Sequence, residues 1–251
     1  MKNSEKVKIV ILAGGKGNRM QNELPKVLSL LHGKPIIKHL LDSVHKSKID
    51  DNPVIIVGYK KELVIHELGD KYHYINQKKQ LGTGHAVYLT KDYLKNKADH
   101  VVVLYGDQPF TSAKTIKKIT QKHLRSGKKI TMTTVKLSDF KDWRICFENF
   151  SRVIRDQNNK IIKTIEKKDA SEEDKKITEV NPCYFCFDAT WLWLKLETLK
   201  NDNVQKEYYL PDLIKIATEN NIEIESIEIE PHEALGANTK EELEILEKFA
   251  V

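Results

Sequence analysis

The first half of the chain alternates apolar runs with amphipathic stretches, and this alternation restricts the fold more than any other feature. Val7–Leu12, Val54–Tyr59, Tyr72–Ile75, Val101–Tyr105 and Ile130–Lys136 read as strands. Pro35–His45, Lys61–Leu68, Gly84–Leu94 and Ser112–Ser126 between them read as helices. Strands separated by helices pair in parallel through crossovers, so the expected fold is α/β: a Rossmann-like, mainly parallel mixed sheet flanked by helices. Ligands of such sheets bind outside the carboxyl ends of the strands.

The chemistry concentrates at one such end. The run Val7–Leu12 leads into Ala13-Gly14-Gly15-Lys16-Gly17-Asn18-Arg19-Met20, followed by Leu24-Pro25-Lys26. Glycines there are expected to let the backbone turn sharply and approach a ligand. The exposed N–H groups of such a loop form a concavity for anions, and Arg19 and Lys26 add two cations. The combination reads as a polyphosphate site, most simply for a nucleoside triphosphate. A Walker A loop would end in Gly-Lys-Ser/Thr, whereas Asn18 and Arg19 follow Gly17 here. A dinucleotide fold would close its second strand with an acid, whereas that strand ends in Gly58-Tyr59-Lys60. On a second strand, Leu104-Tyr105-Gly106-Asp107 aims a carboxylate over the same rim, where Mg²⁺ would take it together with substrate phosphates.

The second half is less regular. Val153–Arg155 and Ile161–Ile165 read as a hairpin, Val180–Asp188 as one strand, and Ala189–Leu199 and Tyr209–Asn220 as helices. Ile222–Glu230 alternates with period two but slips phase at Ser226, which predicts a bulge there. Thr239–Ala250 reads as a closing helix with Thr239 as its N-cap. No Pro/Gly/Ser-rich linker interrupts the sequence. One domain over 1–251 is expected, with a nucleotide-binding half over 1–136, a substrate-binding subregion over 137–238 and a C-terminal helix over 239–251.

Composition narrows the function class. The net charge of +6 comes almost entirely from lysines interleaved with acids, without the aromatic-basic clustering of a nucleic-acid platform. No stretch is apolar enough to span a membrane, and the polar N-terminus lacks a signal-peptide core, so neither a membrane nor a nucleic-acid partner is expected and the location expected is cytoplasmic. Cys183 and Cys186 have the spacing of a metal or redox pair but lack a second pair; buried, inert thiols on opposite strand faces are expected.

The ordered set of motifs resembles the sugar-1-phosphate nucleotidylyltransferases, and within them the uridylyltransferase domains of bifunctional N-acetylglucosamine-1-phosphate uridylyltransferases. The resemblance rests on the glycine loop with Leu24-Pro25-Lys26, on Gln77, and on Gln80-Leu81-Gly82-Thr83-Gly84-His85-Ala86. It continues through Leu104–Pro109, Glu166–Ala170, Asn181, Glu207-Tyr208-Tyr209 and Gly236-Ala237-Asn238-Thr239. It implies transfer of a nucleotidyl group from UTP to a sugar 1-phosphate, most simply N-acetylglucosamine 1-phosphate, with release of pyrophosphate. Arg19 and Lys26 would neutralise phosphate charge. Leu12, Ala13, Gly14, Gly15, Gln77, Gly82 and Thr83 would bind the nucleotide, with Gln77 reading the imide edge of the base. Tyr105, Gly106, Ser151, Glu166 and Asn181 would bind the sugar, and Asp107 with Asn238 would hold Mg²⁺.

The likeness weakens around the sugar. Ser151 stands where the family has glycine, Pro182-Cys183 follow Asn181 where the family has Thr-Gly, and an extra stretch covers about 142–149. Glucose 1-phosphate, a polyol phosphate or choline phosphate are therefore alternative acceptors, dTTP shares the base edge of UTP, and a catalytically silent nucleotide-binding subunit is the reading from another class. The relatives' acetyltransferase β-helix would begin beyond the residues given, so acetyl transfer is not expected.

Overall fold

The computed structural model describes residues 5–16 and 24–249. In chain order the first half contains β1 (Val7–Ala13), β2 (Leu30–Leu31), β3 (Lys34–Pro35), α1 (Ile36–Ser47), β4 (Val54–Val57), α2 (Lys61–Leu68), β5 (His73–Asn76), α3 (Thr83–Tyr88), α4 (Lys91–Leu94), β6 (His100–Tyr105), α5 (Ala113–Ser126) and β7 (Ile130–Lys136). The second half contains β8 (Arg152–Arg155), β9 (Ile161–Ile165), β10 (Glu179–Val180), β11 (Phe185–Asp188), α6 (Ala189–Leu196), α7 (Asp212–Glu219), β12 (Ile224–Glu228) and α8 (Lys240–Phe249). The main sheet is mixed and runs β5-β4-β1-β6-β11-β7-β10-β8-β9, with β12 paired to β7. Strands β5, β4, β1 and β6 are parallel, and β11 enters antiparallel between β6 and β7. The expected α/β architecture is present.

The continuous apolar runs have a simple cause: the sheet is covered on both faces. Ile9, Ile11 and Ala13 of β1 point into one core, with Leu40, Val44, Val64, Ile116 and Ile119 from the helices. Val10 points into the other, with Ala86, Val87, Leu94, Leu192 and Leu213. The order β5-β4-β1-β6 reverses direction between β1 and β6, which opens a crevice at their carboxyl ends.

Three expectations are corrected. Val180–Asp188 is not one strand. It breaks after Val180, and Cys183 takes a left-handed φ of +69°, so the chain leaves β10 and re-enters the sheet as β11. Ser226 carries no bulge. β12 pairs with β7 in unbroken register from Ile224–Ile130 to Glu228–Thr134. The phase slip has another origin: Ile222 and Ile224 pack on one core, while Ile227 and Ile229 pack on the opposite one. Finally, the stretch expected as one helix from Gly84 to Leu94 is two, α3 and α4, separated at Leu89–Thr90, where the buried Thr90 hydroxyl donates to the Val87 carbonyl at 2.7 Å.

Candidate active site

Two cavities adjoin at the carboxyl rim of the sheet. The larger, about 420 Å³, lies between the ends of β1, β4 and β6 and the start of α3. The smaller, about 220 Å³, lies between the end of β6, the β8–β9 hairpin and the break at Asn181–Cys183. Tyr105, Asp107 and Asn238 line both. A ligand with a phosphorus atom between two moieties would therefore place that atom beside Asp107.

The larger cavity gathers Leu12, Ala13, Gly14, Gly15, Lys26, Gln77, Gly82 and Thr83, all named from the sequence. Arg19 lies outside the described residues. Neither Gly14 nor Gly15 takes positive φ, so the expected sharp turn is not what requires glycine at these two positions. At Gly15 a Cβ would meet nothing within 4 Å among the described residues, and the bare backbone there lines the cavity. Gly82 is different. Its φ is +100° and a Cβ would sit 2.5 Å from the Tyr208 carbonyl oxygen, so only glycine fits where α3 begins. The segment Tyr208–Leu210 is stitched to this turn: the Tyr208 N–H donates to the Leu81 carbonyl at 2.8 Å, and the Leu210 N–H to the Thr83 hydroxyl at 2.9 Å. Gln77 is 6% exposed, and its amide nitrogen donates to the Gly82 carbonyl and to His85 Nδ1, each at 3.0 Å.

Sequence reasoning missed three polar residues of this cavity. Lys16 lines it, with its ammonium 5.7 Å from the Tyr59 ring centroid. Gln80 donates to the Gly14 carbonyl at 2.8 Å and braces the loop. Glu207 lines the opposite wall, and burial raises its pKa. Gln80 and Glu207 belong to the motifs that carry the resemblance and were legible there; nothing marks Lys16 among many lysines.

Lys26 sits on a 3₁₀ turn, Lys26–Leu28, anchored by the buried Val27 and Leu28. Its ammonium donates to Asp107 Oδ2 and, at 2.8 Å, to Asn238 Oδ1. Two hard oxygens from distant parts of the chain thus converge on one cation. Asn238 is fixed from behind: its N–H donates to Glu242 Oε2 at 2.6 Å, while the Glu242 N–H donates to Thr239 Oγ1 at 3.2 Å, the N-cap expected for α8. A carboxylate, an amide oxygen and access to substrate phosphates fit Mg²⁺, which is usually held by one or two carboxylates plus phosphates and waters. Among the described residues no group of three or more His, Cys, Asp or Glu side chains forms a self-sufficient metal cluster.

The smaller cavity brings together Tyr105, Ser151, Glu166 and Asn181 as expected. Gly106 lines neither cavity. Its N–H donates to the Leu12 carbonyl at 2.9 Å, and a Cβ there would come within 3.0 Å of that oxygen, so it serves the close approach of β6 to β1. Ser151 donates its hydroxyl to Glu166 Oε1 at 2.9 Å. Asn181 accepts the Cys183 N–H on Oδ1 at 2.8 Å, which fixes its amide and leaves Nδ2 buried without a partner among the described residues. Gln108, also missed from sequence, lines the same wall. Its Nε2 donates to the Pro182 and Ala234 carbonyls, each at 3.3 Å, and its buried Oε1 has no partner among the described residues. Both unpaired atoms are almost fully inaccessible within the wall of the cavity, where an unpaired polar atom is costly. Burial raises the Tyr105 phenol well above its ordinary pKa, keeping it protonated.

Cys183 corrects the expectation of two strand thiols. It lies in the break, not in a strand, and lines this cavity; burial and then the Glu166 charge push its thiol pKa up. The extra stretch forms a 3₁₀ helix, Asp142–Phe147. Trp143 packs 4.7 Å from Phe249 of α8, and Phe147 lies 5.1 Å from Phe150 beside the cavity.

The chain is 36% identical, over 98% of its length, to the bifunctional protein GlmU of Caldicellulosiruptor saccharolyticus, covering 52% of that protein. It is likewise 36% identical over 96% of its length to the bifunctional protein GlmU of Bacillus subtilis, covering 51% of it. The chain thus spans about half the length of the curated relatives it matches. A solved structure described as a glucose-1-phosphate thymidylyltransferase from Bacillus anthracis, in complex with sucrose, shares the fold with a TM-score of 0.75 over 97% of this chain and 95% of that one, at 21% identity. Residues 9–205 match the model of the MobA-like NTP transferase domain, and the chain therefore belongs to that family of nucleotidyltransferases.

Proposed function

We propose that the chain transfers a uridylyl group from UTP to a sugar 1-phosphate, with N-acetylglucosamine 1-phosphate as the first acceptor, and that it does so with Mg²⁺. The observation that carries this reading is the junction of the two cavities at Asp107, Asn238 and Lys26. The nucleotide takes the larger cavity. Its phosphates lie along Gly14 and Gly15, and its base reaches Gln77 and the Gly82–Thr83 turn. The acceptor takes the smaller one, with Glu166, Asn181 and Tyr105 on its hydroxyls and Ser151 orienting Glu166.

An acceptor phosphate oxygen forms a bond to the α-phosphorus while the bond from that phosphorus to the bridging oxygen breaks, and pyrophosphate leaves with the electron pair. The phosphate nucleophile is already ionised near neutral pH, so no general base is needed; alignment and charge neutralisation do the work. Lys26 places a point charge at the junction; Arg19, expected from the sequence as a second cation for the phosphates, lies outside the described residues. Asp107 and Asn238 would hold Mg²⁺, which when bound supplies charge neutralisation for the triphosphate.

Pyrophosphate release across UTP, dTTP, CTP, ATP and GTP with a panel of sugar 1-phosphates tests the assignment. Release with UTP and N-acetylglucosamine 1-phosphate is expected. Release confined to another pair would reassign the pockets, and none with any pair would contradict enzymatic transfer to sugars.

A further inference from the structure

Gln77 is held from two sides by one short segment. Its amide nitrogen lies 3.0 Å from the Gly82 carbonyl oxygen and 3.0 Å from His85 Nδ1. A carbonyl oxygen only accepts, so this end of the side chain is the NH₂, and its second hydrogen goes to His85. His85 Nδ1 is then the acceptor, with the ring proton on Nε2. Burial lowers the His85 pKa, which keeps the ring neutral near pH 7. Both Gln77 donors are therefore spent. What remains is Oε1, which has no hydrogen-bond partner among the described residues and lies beside Gly14, 3.4 Å from where a Cβ on that glycine would be. Both residues belong to the wall of the larger cavity.

We propose that His85 is a positioning residue for nucleotide-base selection: by holding the Gln77 amide in one orientation, it makes the site present an acceptor, and no donor, at this point of the cavity. A base with a ring N–H there, such as uracil or thymine, meets a hydrogen-bond acceptor. Cytosine presents a bare ring nitrogen, so two lone pairs would face each other in a dry wall, and that pairing is rejected. His85 stands on α3 one turn from Gly82, so the same turn that supplies the Gly82 carbonyl also supplies the ring nitrogen. The inference rests on the base-reading role proposed above for Gln77.

The test is kcat/KM for UTP and for CTP at saturating acceptor, in wild type, His85→Leu, His85→Asn and Gln77→Leu. His85→Leu leaves one Gln77 N–H unpaired and the amide held by the Gly82 carbonyl alone. It should lower the UTP-over-CTP ratio by about tenfold, the worth of one hydrogen bond, through KM for UTP with kcat little changed. His85→Asn offers an amide oxygen in place of Nδ1 and should keep the wild-type preference within about threefold, well under the worth of that bond. Gln77→Leu should abolish the preference. An unchanged ratio in folded His85→Leu, with the ratio lost in Gln77→Leu, overturns the role of His85 and leaves base reading by Gln77 standing. Loss of the preference in folded His85→Asn also overturns it. A ratio unchanged in both His85→Leu and Gln77→Leu overturns the base-reading role itself and the inference with it.

Discussion

Asp107 carries more of the proposed chemistry than any other side chain. Its carboxylate meets the Lys26 ammonium at the rim, where the two side chains are mostly buried, 14% and 16% exposed. Deleting one partner of such a pair leaves the other charge uncompensated, which costs more than the roughly 0–1 kcal/mol of an exposed pair. Asp107→Asn, which keeps an oxygen for Lys26, should therefore move the urea midpoint less than Asp107→Ala, while turnover falls by about 10²–10³-fold in both, the usual loss when one preorganised electrostatic contact is removed. The glycines divide by role. Gly82→Ala forces a Cβ to 2.5 Å from the Tyr208 carbonyl at positive φ, and should destabilise by about 2–3 kcal/mol or more. Gly15→Ala meets nothing within 4 Å among the described residues; it should change stability by less than about 0.5 kcal/mol and raise KM for UTP. Thermal melts and steady-state kinetics on the two variants separate a glycine needed by the fold from one needed by the ligand.

At the scale of elements, the placement of Asn238 depends on α8. Thr239 caps that helix, and the Glu242 carboxylate holds the Asn238 N–H. Thr239→Ala should cost about 1 kcal/mol and lower kcat/KM severalfold by loosening Asn238, which urea titration and kinetics can check together. The strands of the first half were legible because burial on both faces leaves only apolar residues in them. The same double burial made β12 misleading: a phase slip that would need a bulge in a one-faced strand needs none where Ile224 and Ile227 each find a core. The break before β11 had a local signature that the apolar flanks outweighed. Asn181-Pro182 is a turn dipeptide inside Val180–Asp188, and Cys183 takes the left-handed backbone as the chain crosses between strand partners. Within the site, the residues in the shared motifs were legible as positions, Gln108 of Leu104–Pro109 among them. What only packing creates is the Gln108 Oε1 without a partner among the described residues.

For the whole molecule, acid sensitivity should centre on the far edge of the fold. His123 is 1% exposed between His100 and Thr131, and burial together with the His100 charge lowers its pKa from 6.5 to about 4. The unfolded chain binds this proton more readily than the folded one. The contribution to stability is therefore complete above about pH 6.5 and is lost as pH falls towards about 4, by roughly 2–3 kcal/mol at about 1.4 kcal/mol per pH unit. His123→Gln should flatten the stability profile across that window, as read from urea titrations at pH 7 and pH 4.5; an unchanged profile would assign the acid sensitivity to other groups. The junction on which the proposed function depends joins β1, β6, the Lys26 turn and the Asn238 strap around one point. Its most direct test is to incubate the chain with UTP, N-acetylglucosamine 1-phosphate and Mg²⁺ and to quantify both products by mass spectrometry. UDP-sugar and pyrophosphate in equal amounts, absent without the sugar phosphate and nearly absent with Asp107→Ala, is the predicted result. Hydrolysis of UTP without a sugar nucleotide, or UDP-sugar formed by Asp107→Ala at the wild-type rate, would contradict it.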